Sequence, residues 1–216
     1  MSFVAQQLAE RLRDCGVEIA RTGTELAARG WTPATSSNFS MRMDDANIAI
    51  TISGRDKGAL APADVMAVGM DGRPANPDLR PSAETGLHLQ IYRRLPDTGA
   101  VLHTHSHTQT VASRLFARQG VLALHGWELQ KAITGCTTHD SKLDLPVFPN
   151  SQRMQDIEGR VDAWLDAGKP LYGYLIDGHG LYTWGRTMHE AKRHLEALDF
   201  LLACELDLKR LGGAAP

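Results

Sequence analysis

The sequence contains few cysteines, and they form no recognisable pattern. Cys15, Cys136 and Cys204 are the 3 that occur, at wide spacing and with no CxxC pair. An odd number of widely spaced cysteines argues against a disulfide framework. We interpret Cys15 and Cys204, which fall within helical patterns, as small core residues.

The chain also lacks an excess of charge and a long apolar run. Its 23 basic and 25 acidic residues give a net charge of −2, which predicts no binding to nucleic acid or to an anionic membrane. No apolar run reaches the length of a membrane span. The first residues, MSFVAQQLAERLRD, lack the basic start and apolar stretch of a signal peptide, so we expect a cytoplasmic protein.

The order of the periodic segments predicts the fold class. No internal repeat or low-complexity linker divides the 216 residues, so we predict one domain over residues 1–216. The order helix, strands, helix, strand, helix, strands, helix favours an α/β fold with a mixed sheet covered by helices on both faces. The predicted helices are the first segment up to Gly30, the residues after Ser82, 108–116, 128–133, the region around 161–165, and 188–211; the predicted strands are 48–53, 65–68, 100–105, 121–124, 172–176 and 181–184.

A pair of histidines two residues apart is the strongest chemical signal. His103 and His105 end a predicted strand, where side chains at i and i+2 point to the same face. The spacing alone leaves open that both are ordinary buried polar residues. A catalytic zinc site usually has three protein ligands, and His179, in a DGHG hairpin turn, is the best third candidate. His107 continues the series, but a predicted helix begins beside it and turns it away.

Three short segments ahead of this pair predict an anion site. They are TSSNFS at 35–40, TISG at 51–54 with Arg55 and Lys57 behind it, and RPSAE at 80–84 with Ser82 at a predicted helix start. Hydroxyls, turn N–H groups and a helix N-terminus favour anions without a large net charge. Each segment alone is more typical of a turn or cap, and their joint occurrence carries the prediction.

Two glutamates are candidates for the general base of such a site. Glu84 is predicted to lie one turn into the helix after Ser82. Glu128 follows Trp127, whose apolar ring could raise the pKa of the carboxyl group. Either could also be an exposed helix carboxylate, and the residues alone do not rank them.

The motifs SSNFS, TISG, RPSAE, HTHS and DGHGLYTWG occur here in the order seen in the class II aldolase/adducin family, which the chain resembles over nearly its whole length. The resemblance implies a three-layer α/β/α fold, a homotetramer and active sites near subunit interfaces. It implies one zinc ion per subunit, bound by His103, His105 and His179. It also implies that Glu84 occupies the acid/base position of the family's aldolases. Ser37 is a departure, because the aldolases carry glycine there.

Within the family, residues 125–140, HGWELQKAITGCTTHD, look most like the dehydratases that act on a methylthio-substituted ribulose phosphate in methionine salvage. The resemblance places Glu128 at the acid/base position of those enzymes. The alternatives are a class II aldolase or 4-epimerase acting on a fuculose, rhamnulose or ribulose phosphate, and a non-catalytic adducin-like domain. The phosphate-binding residues implied are Asn38, Ser53, Gly54, Lys57 and Ser82.

Overall fold

The computed structural model describes residues 3–212, which form helices around one eight-stranded sheet. The helices are α1 (Phe3–Ala28), α2 (Thr85–Arg94), α3 (His107–Phe116), α4 (Met154–Asp166) and α5 (Met188–Arg210). The strands are β1 (Asn38–Arg42), β2 (Asn47–Thr51), β3 (Val65–Gly69), β4 (Ala100–Thr104), β5 (Val121–Leu124), β6 (Leu143–Phe148), β7 (Tyr174–Ile176) and β8 (Leu181–Gly185). Short 3-10 turns include Lys57–Ala59 and Glu128–Ala132. No helix within residues 3–212 is long and apolar enough to cross a membrane.

The sheet is mixed, as the sequence predicts. Its order is β3-β2-β1-β4-β8-β7-β6-β5, with β6 and β7 parallel and the other described pairs antiparallel. The predicted hairpin is confirmed, since β7 pairs with β8 across the turn that carries His179. β4 ends and β8 begins at the histidine pair, because Thr104 pairs with Leu181.

Each face of the sheet is covered by its own set of helices. One buried cluster joins α1 and α5 to the sheet and includes Ile19, Leu26 and Leu198. The other cluster joins α2 and α4 to the opposite face and includes Leu87 and Ile157. Burying an apolar stripe of each helix in this way stabilises the fold by about 25 cal/mol per Å² of apolar surface removed from water. The arrangement confirms the three-layer α/β/α class.

Two strands were not predicted, and one helix begins later than predicted. β1 lies in the segment interpreted as an anion-binding turn, and β6 contains Pro146, which lacks the N–H that a strand uses. Ser82 is not the N-cap of α2, because that position belongs to Glu84. Ser82 instead closes the preceding turn, where its Oγ accepts from the N–H of Glu84 at 3.3 Å. The prediction that Glu84 lies one turn inside the helix is therefore wrong.

Candidate active site

Three histidines converge where β4 and the β7–β8 turn meet. His103 Nε2 lies 2.7 Å from His105 Nε2 and 3.4 Å from His179 Nε2. His103 is fully buried, and the other two are half-buried. The structure thus brings together all three residues predicted as metal ligands. They form a group that could hold a metal ion.

The electrostatics of this group fit a cation. The Leu181 carbonyl accepts the Nδ1–H of His103 at 3.0 Å, so a neutral ring presents its Nε2 lone pair to the other two histidines. Burial lowers the pKa of His103 well below its ordinary value and lowers that of His105 to about 4. Neutral imidazoles with converging nitrogens are the donor set that a divalent transition metal requires.

Glu84 lies directly beside the histidines. Its Oε2 is 3.4 Å from His103 Nε2, and its Oε1 is 3.3 Å from His179 Nε2. The hydroxyl of Tyr182 and the amide of Asn38 donate to Oε2 at 2.9 and 2.7 Å. The Glu84 side chain is only 13% exposed, so it is not an ordinary exposed helix carboxylate.

Tyr182 is a site residue that sequence reasoning missed. Its ring stacks on His103, with centroids 4.0 Å apart and planes at 14°. Burial raises the pKa of Tyr182 well above its ordinary value, so the hydroxyl keeps its proton and donates to Glu84. The contact arises because Tyr182 in β8 pairs with His103 in the adjacent strand β4. No local sequence motif predicts this strand register.

A cavity of about 460 Å³ opens beside Glu84, His105 and His179. Thr35, Ser36, Ser37, Thr51, Ile52 and Ala83 contribute to its wall, together with every residue predicted to bind phosphate: Asn38, Ser53, Gly54, Lys57 and Ser82. Lys57 is buried, and its Nζ donates to the carbonyls of Thr35 and Arg55 at 3.1 and 2.6 Å. Burial lowers the Lys57 pKa. The lysine therefore ties two of the predicted anion-binding segments together beneath the cavity.

Another part of the wall comes from the loop between β6 and α4 and from the first residue of α4. Asn150, Ser151, Gln152 and Met154 line the cavity there. Sequence reasoning missed this wall because it missed β6, which delivers the loop to the site. The PNSQ stretch with its turn-forming residues was the available signal.

Ser37 keeps the backbone shape that a glycine would adopt. Its φ is +74°, in the left-handed region, and Ala34 and Thr35 before it also have positive φ values of 53° and 61°. The Ser37 hydroxyl donates to the Trp31 carbonyl at 3.3 Å. The loop thus retains a tight turn next to Asn38 although serine replaces the family's glycine.

Glu128 lies outside this cavity. It begins the 3-10 turn Glu128–Ala132, is 70% exposed and pairs with Lys131. The hydrogen bond from Lys131 lowers the pKa of Glu128, so the expectation that Trp127 raises it is wrong for this chain. The Trp127 indole donates instead to Glu205 at 2.9 Å. Within one chain, the structure does not bring Glu128 to the three histidines.

The fold and the histidine site agree with the similarity of this chain to a known protein family. Residues 17–206 match the family described as Class II Aldolase and Adducin N-terminal domain. The solved L-fuculose 1-phosphate aldolase has a similar fold, with a TM-score of 0.77 and 20% identity over 94% of this chain and 89% of that one. The L-fuculose-1-phosphate aldolase of Thermus thermophilus gives a TM-score of 0.70 and 24% identity, over 98% and 99%. The chain belongs to the class II aldolase and adducin family.

Curated relatives are more similar in sequence than these structures are. The methylthioribulose-1-phosphate dehydratase of Xanthomonas campestris pv. campestris (strain 8004) is 57% identical over 94% of this chain and 93% of its own length. The protein of the same name in Stenotrophomonas maltophilia (strain R551-3) is 58% identical over 99% and 94%. The similarity thus spans nearly the whole of both relatives.

Proposed function

We propose that this chain is a metal-dependent dehydratase that removes water from 5-methylthioribulose 1-phosphate. The product is 2,3-diketo-5-methylthiopentyl 1-phosphate, an intermediate of methionine salvage. The identity of 57% and 58% to relatives named as dehydratases of this substrate carries the proposal. The aldolase structures, at 20% and 24% identity, support the fold alone.

We propose zinc as the metal, with one ion per subunit held by His103, His105 and His179. Three imidazoles with an open position are typical of catalytic zinc, although cobalt, manganese or iron also bind such donors. When bound, the ion would polarise the substrate's C2 carbonyl and stabilise the charge that develops on enolisation.

The protein's own groups move the proton and hold the phosphate. A carboxylate removes the proton from C3, and the electron pair moves toward the C2 carbonyl. The electrons then return to form a C3–C4 double bond, while the C4 hydroxyl leaves as water with a proton from the carboxyl group. The resulting enol takes up a proton at C4 and loses the proton of its C3 hydroxyl, which gives the diketone. The turns that carry Asn38, Ser53, Gly54, Lys57 and Ser82 would fix the phosphate.

Two carboxylates remain candidates for this proton transfer, and they differ in position. Glu84 lies beside the histidines of its own chain. Glu128, to which the resemblance assigns the role, is exposed outside the cavity, so its participation requires a second subunit. A homotetramer with sites near its interfaces would meet that requirement.

Three expectations from the sequence stay predictions: the tetramer, the single domain over residues 1–216 and the cytoplasmic location. Residues 1–2 and 213–216 lie outside the described part of the chain.

A direct assay tests the function. Purified protein with zinc is given methylthioribulose 1-phosphate, and we expect formation of the diketone. His103→Ala should lose both the bound zinc and the activity, because it removes the central buried ligand. Asp71→Ala, at a turn far along the chain from the histidines, is the matched control and should retain both.

The rival reaction within the family is cleavage of a carbon–carbon bond. Release of an aldehyde from fuculose 1-phosphate or rhamnulose 1-phosphate, with no diketone from methylthioribulose 1-phosphate, would contradict the dehydratase proposal. Undiminished zinc in His103→Ala would contradict the proposed metal site and favour a non-catalytic adducin-like role for these residues.

A further inference from the structure

A continuous line of buried polar side chains leads from Glu84 into the layer between the sheet and α2. Asn38 Nδ2 donates to Glu84 at 2.7 Å, and Asn38 Oδ1 lies 2.5 Å from His88 Nε2. His88 Nδ1 lies 2.7 Å from Ser40 Oγ, which lies 2.9 Å from the Tyr92 hydroxyl. The four side chains behind Glu84 are at most 5% exposed. We call these four residues the buried relay.

The direction of the hydrogen bonds in the buried relay follows from the Glu84 carboxylate at its near end, which can only accept. Burial raises the pKa of Tyr92 above its ordinary value, so the hydroxyl stays protonated. The Glu84 carboxylate accepts from Asn38 Nδ2, so Asn38 Oδ1 faces His88 Nε2 and needs a proton on that nitrogen. A neutral His88 then accepts at Nδ1 from Ser40, and the Ser40 oxygen accepts in turn from the Tyr92 hydroxyl. This order fixes His88 as the tautomer with its proton on Nε2.

The Nε2–H of His88 holds the Asn38 amide in this orientation. It requires an acceptor, and Asn38 Oδ1 lies at that position. The amide nitrogen of Asn38 consequently faces Glu84. The reversed amide would bring its oxygen to 2.7 Å from the carboxylate oxygen. Two acceptor oxygens at that distance repel each other, because no hydrogen lies between them.

We propose that His88 is a positioning residue, which through the Asn38 amide holds the Glu84 carboxylate against His103 and His179. The proposal rests on the proposed function in one respect, namely that Glu84 acts on the substrate. Asn38 also lines the cavity and carries a second amide N–H. The same orientation therefore presents a donor to the substrate, so the buried relay positions two groups of the site at once.

The tautomer of His88 can be measured without any substrate. In protein labelled with ¹⁵N-histidine, the imidazole nitrogen shifts distinguish a proton on Nε2 from a proton on Nδ1. We expect a neutral His88 with its proton on Nε2, both with and without zinc. A proton on Nδ1 would reverse the buried relay and overturn the proposal.

Three variants separate positioning from general packing. His88→Leu removes the donor to Asn38, while His88→Gln supplies an amide that can donate to Asn38 and accept from Ser40. Gln90→Met is the matched control: Gln90 is also buried on α2, but its amide donates to the Glu158 carbonyl at 2.7 Å, away from the relay.

We expect His88→Leu to lower kcat by about tenfold or more, because small misplacements of a reacting group have large effects on rate. The bound zinc should change little, because the metal ligands are not altered. The loss should fall mainly on kcat, because Glu84 acts in the chemical step, with a smaller rise in KM from the displaced Asn38 amide. His88→Gln should recover a large part of the lost kcat, and Gln90→Met should retain the wild-type value. Equal losses in His88→Leu and Gln90→Met, or no recovery in His88→Gln, would overturn the positioning role.

Failure of the proposed function gives a different result. In that case the wild-type, zinc-loaded protein forms no diketone, while the tautomer of His88 is still measured as before. A relay with the expected tautomer in an inactive protein would contradict the reaction, not the direction of the hydrogen bonds.

Discussion

His88 shows how a single buried residue couples the structure to pH. Burial lowers its pKa from 6.5 to about 4, an effect that the nearby charge of Glu84 partly offsets. The Tyr182 ring faces His88, and the Arg42 guanidinium lies over the Tyr92 ring. Both tyrosines stay protonated because burial raises their pKa. Neutral His88 thus fits the relay, and a proton on both ring nitrogens would leave Ser40 without an acceptor.

This residue predicts a pH dependence of stability. Above about pH 6.5 the histidine is neutral in both states, so it adds no pH dependence. As the pH falls from about 6.5 to about 4, the unfolded chain takes up a proton and the folded chain does not. The free energy of unfolding should therefore fall by about 1.4 kcal/mol per pH unit on account of His88.

Urea unfolding of the metal-free protein measures this effect at a series of pH values. His88→Gln is the comparison, since it removes the titrating group and leaves His103 and His105 to contribute equally in both proteins. Between about pH 6 and pH 4.5, the free energy of unfolding of the variant should fall less steeply with pH. The difference in slope should be about 1.4 kcal/mol per pH unit, which corresponds to one proton. Parallel curves for the two proteins would contradict the lowered pKa.

At the scale of elements, the site depends on how closely the β7–β8 turn approaches the end of β4. Gly180 faces that strand end, and a Cβ built there would collide with the Thr104 carbonyl and lie 3.0 Å from His105 Cδ2. The Thr110 hydroxyl also donates to the His179 carbonyl at 2.8 Å, which holds the turn against α3. The position of His179 relative to His105 is therefore set by backbone contact.

We predict that Gly180→Ala weakens metal binding while the fold is retained. The methyl group must push the turn away from Thr104, because a backbone carbonyl cannot move aside as a flexible side chain can. We expect zinc affinity to fall by about tenfold or more, since metal ligands tolerate displacements of only about 0.2 Å. Competition with a chromogenic chelator measures the affinity.

Gly159→Ala is the matched control for this prediction. Gly159 lies inside α4 with nothing within 4 Å of an added Cβ, so alanine there should stabilise the helix by about 1 kcal/mol. Its zinc affinity should equal that of the wild type. Wild-type affinity in Gly180→Ala as well would show that the close approach is not needed for the ligand geometry.

The elements also explain how far sequence reasoning reached. Helical and strand periodicity predicts the layers, and the i, i+2 rule predicts that His103 and His105 share a face. The pairing of β1 with β4, which sets Asn38 opposite His103, follows from long-range register that no local pattern encodes. The same is true of Tyr182 in β8. β6 was not predicted because it contains Pro146, and proline is uncommon inside a strand. The part of the cavity wall that follows β6 was missed for the same reason.

At the scale of the whole molecule, the position of Glu128 bears on which chain supplies each carboxylate. Glu128 and the neighbouring Leu129 are both exposed on the 3-10 turn Glu128–Ala132. For Glu128 to reach a histidine site, this turn has to pack against another chain of a symmetric oligomer. In a symmetric tetramer each Glu128 would then approach a site other than that of its own chain.

Mixed oligomers of two inactive variants test this arrangement. Glu84→Gln and Glu128→Gln should each lose most of the activity alone, if both carboxylates serve the reaction. A tetramer reassembled from equal amounts of the two should regain about a quarter of the wild-type activity, because a site is complete only when an intact Glu84 and an intact Glu128 from different chains meet. If both carboxylates acted within one chain, every site would lack one of them and mixing would restore no activity.

Full activity in Glu128→Gln alone would leave Glu84 as the sole acid/base. Reassembly of wild type with Glu84→Gln is the control, since it reports the activity per intact site after the same unfolding or subunit-exchange procedure.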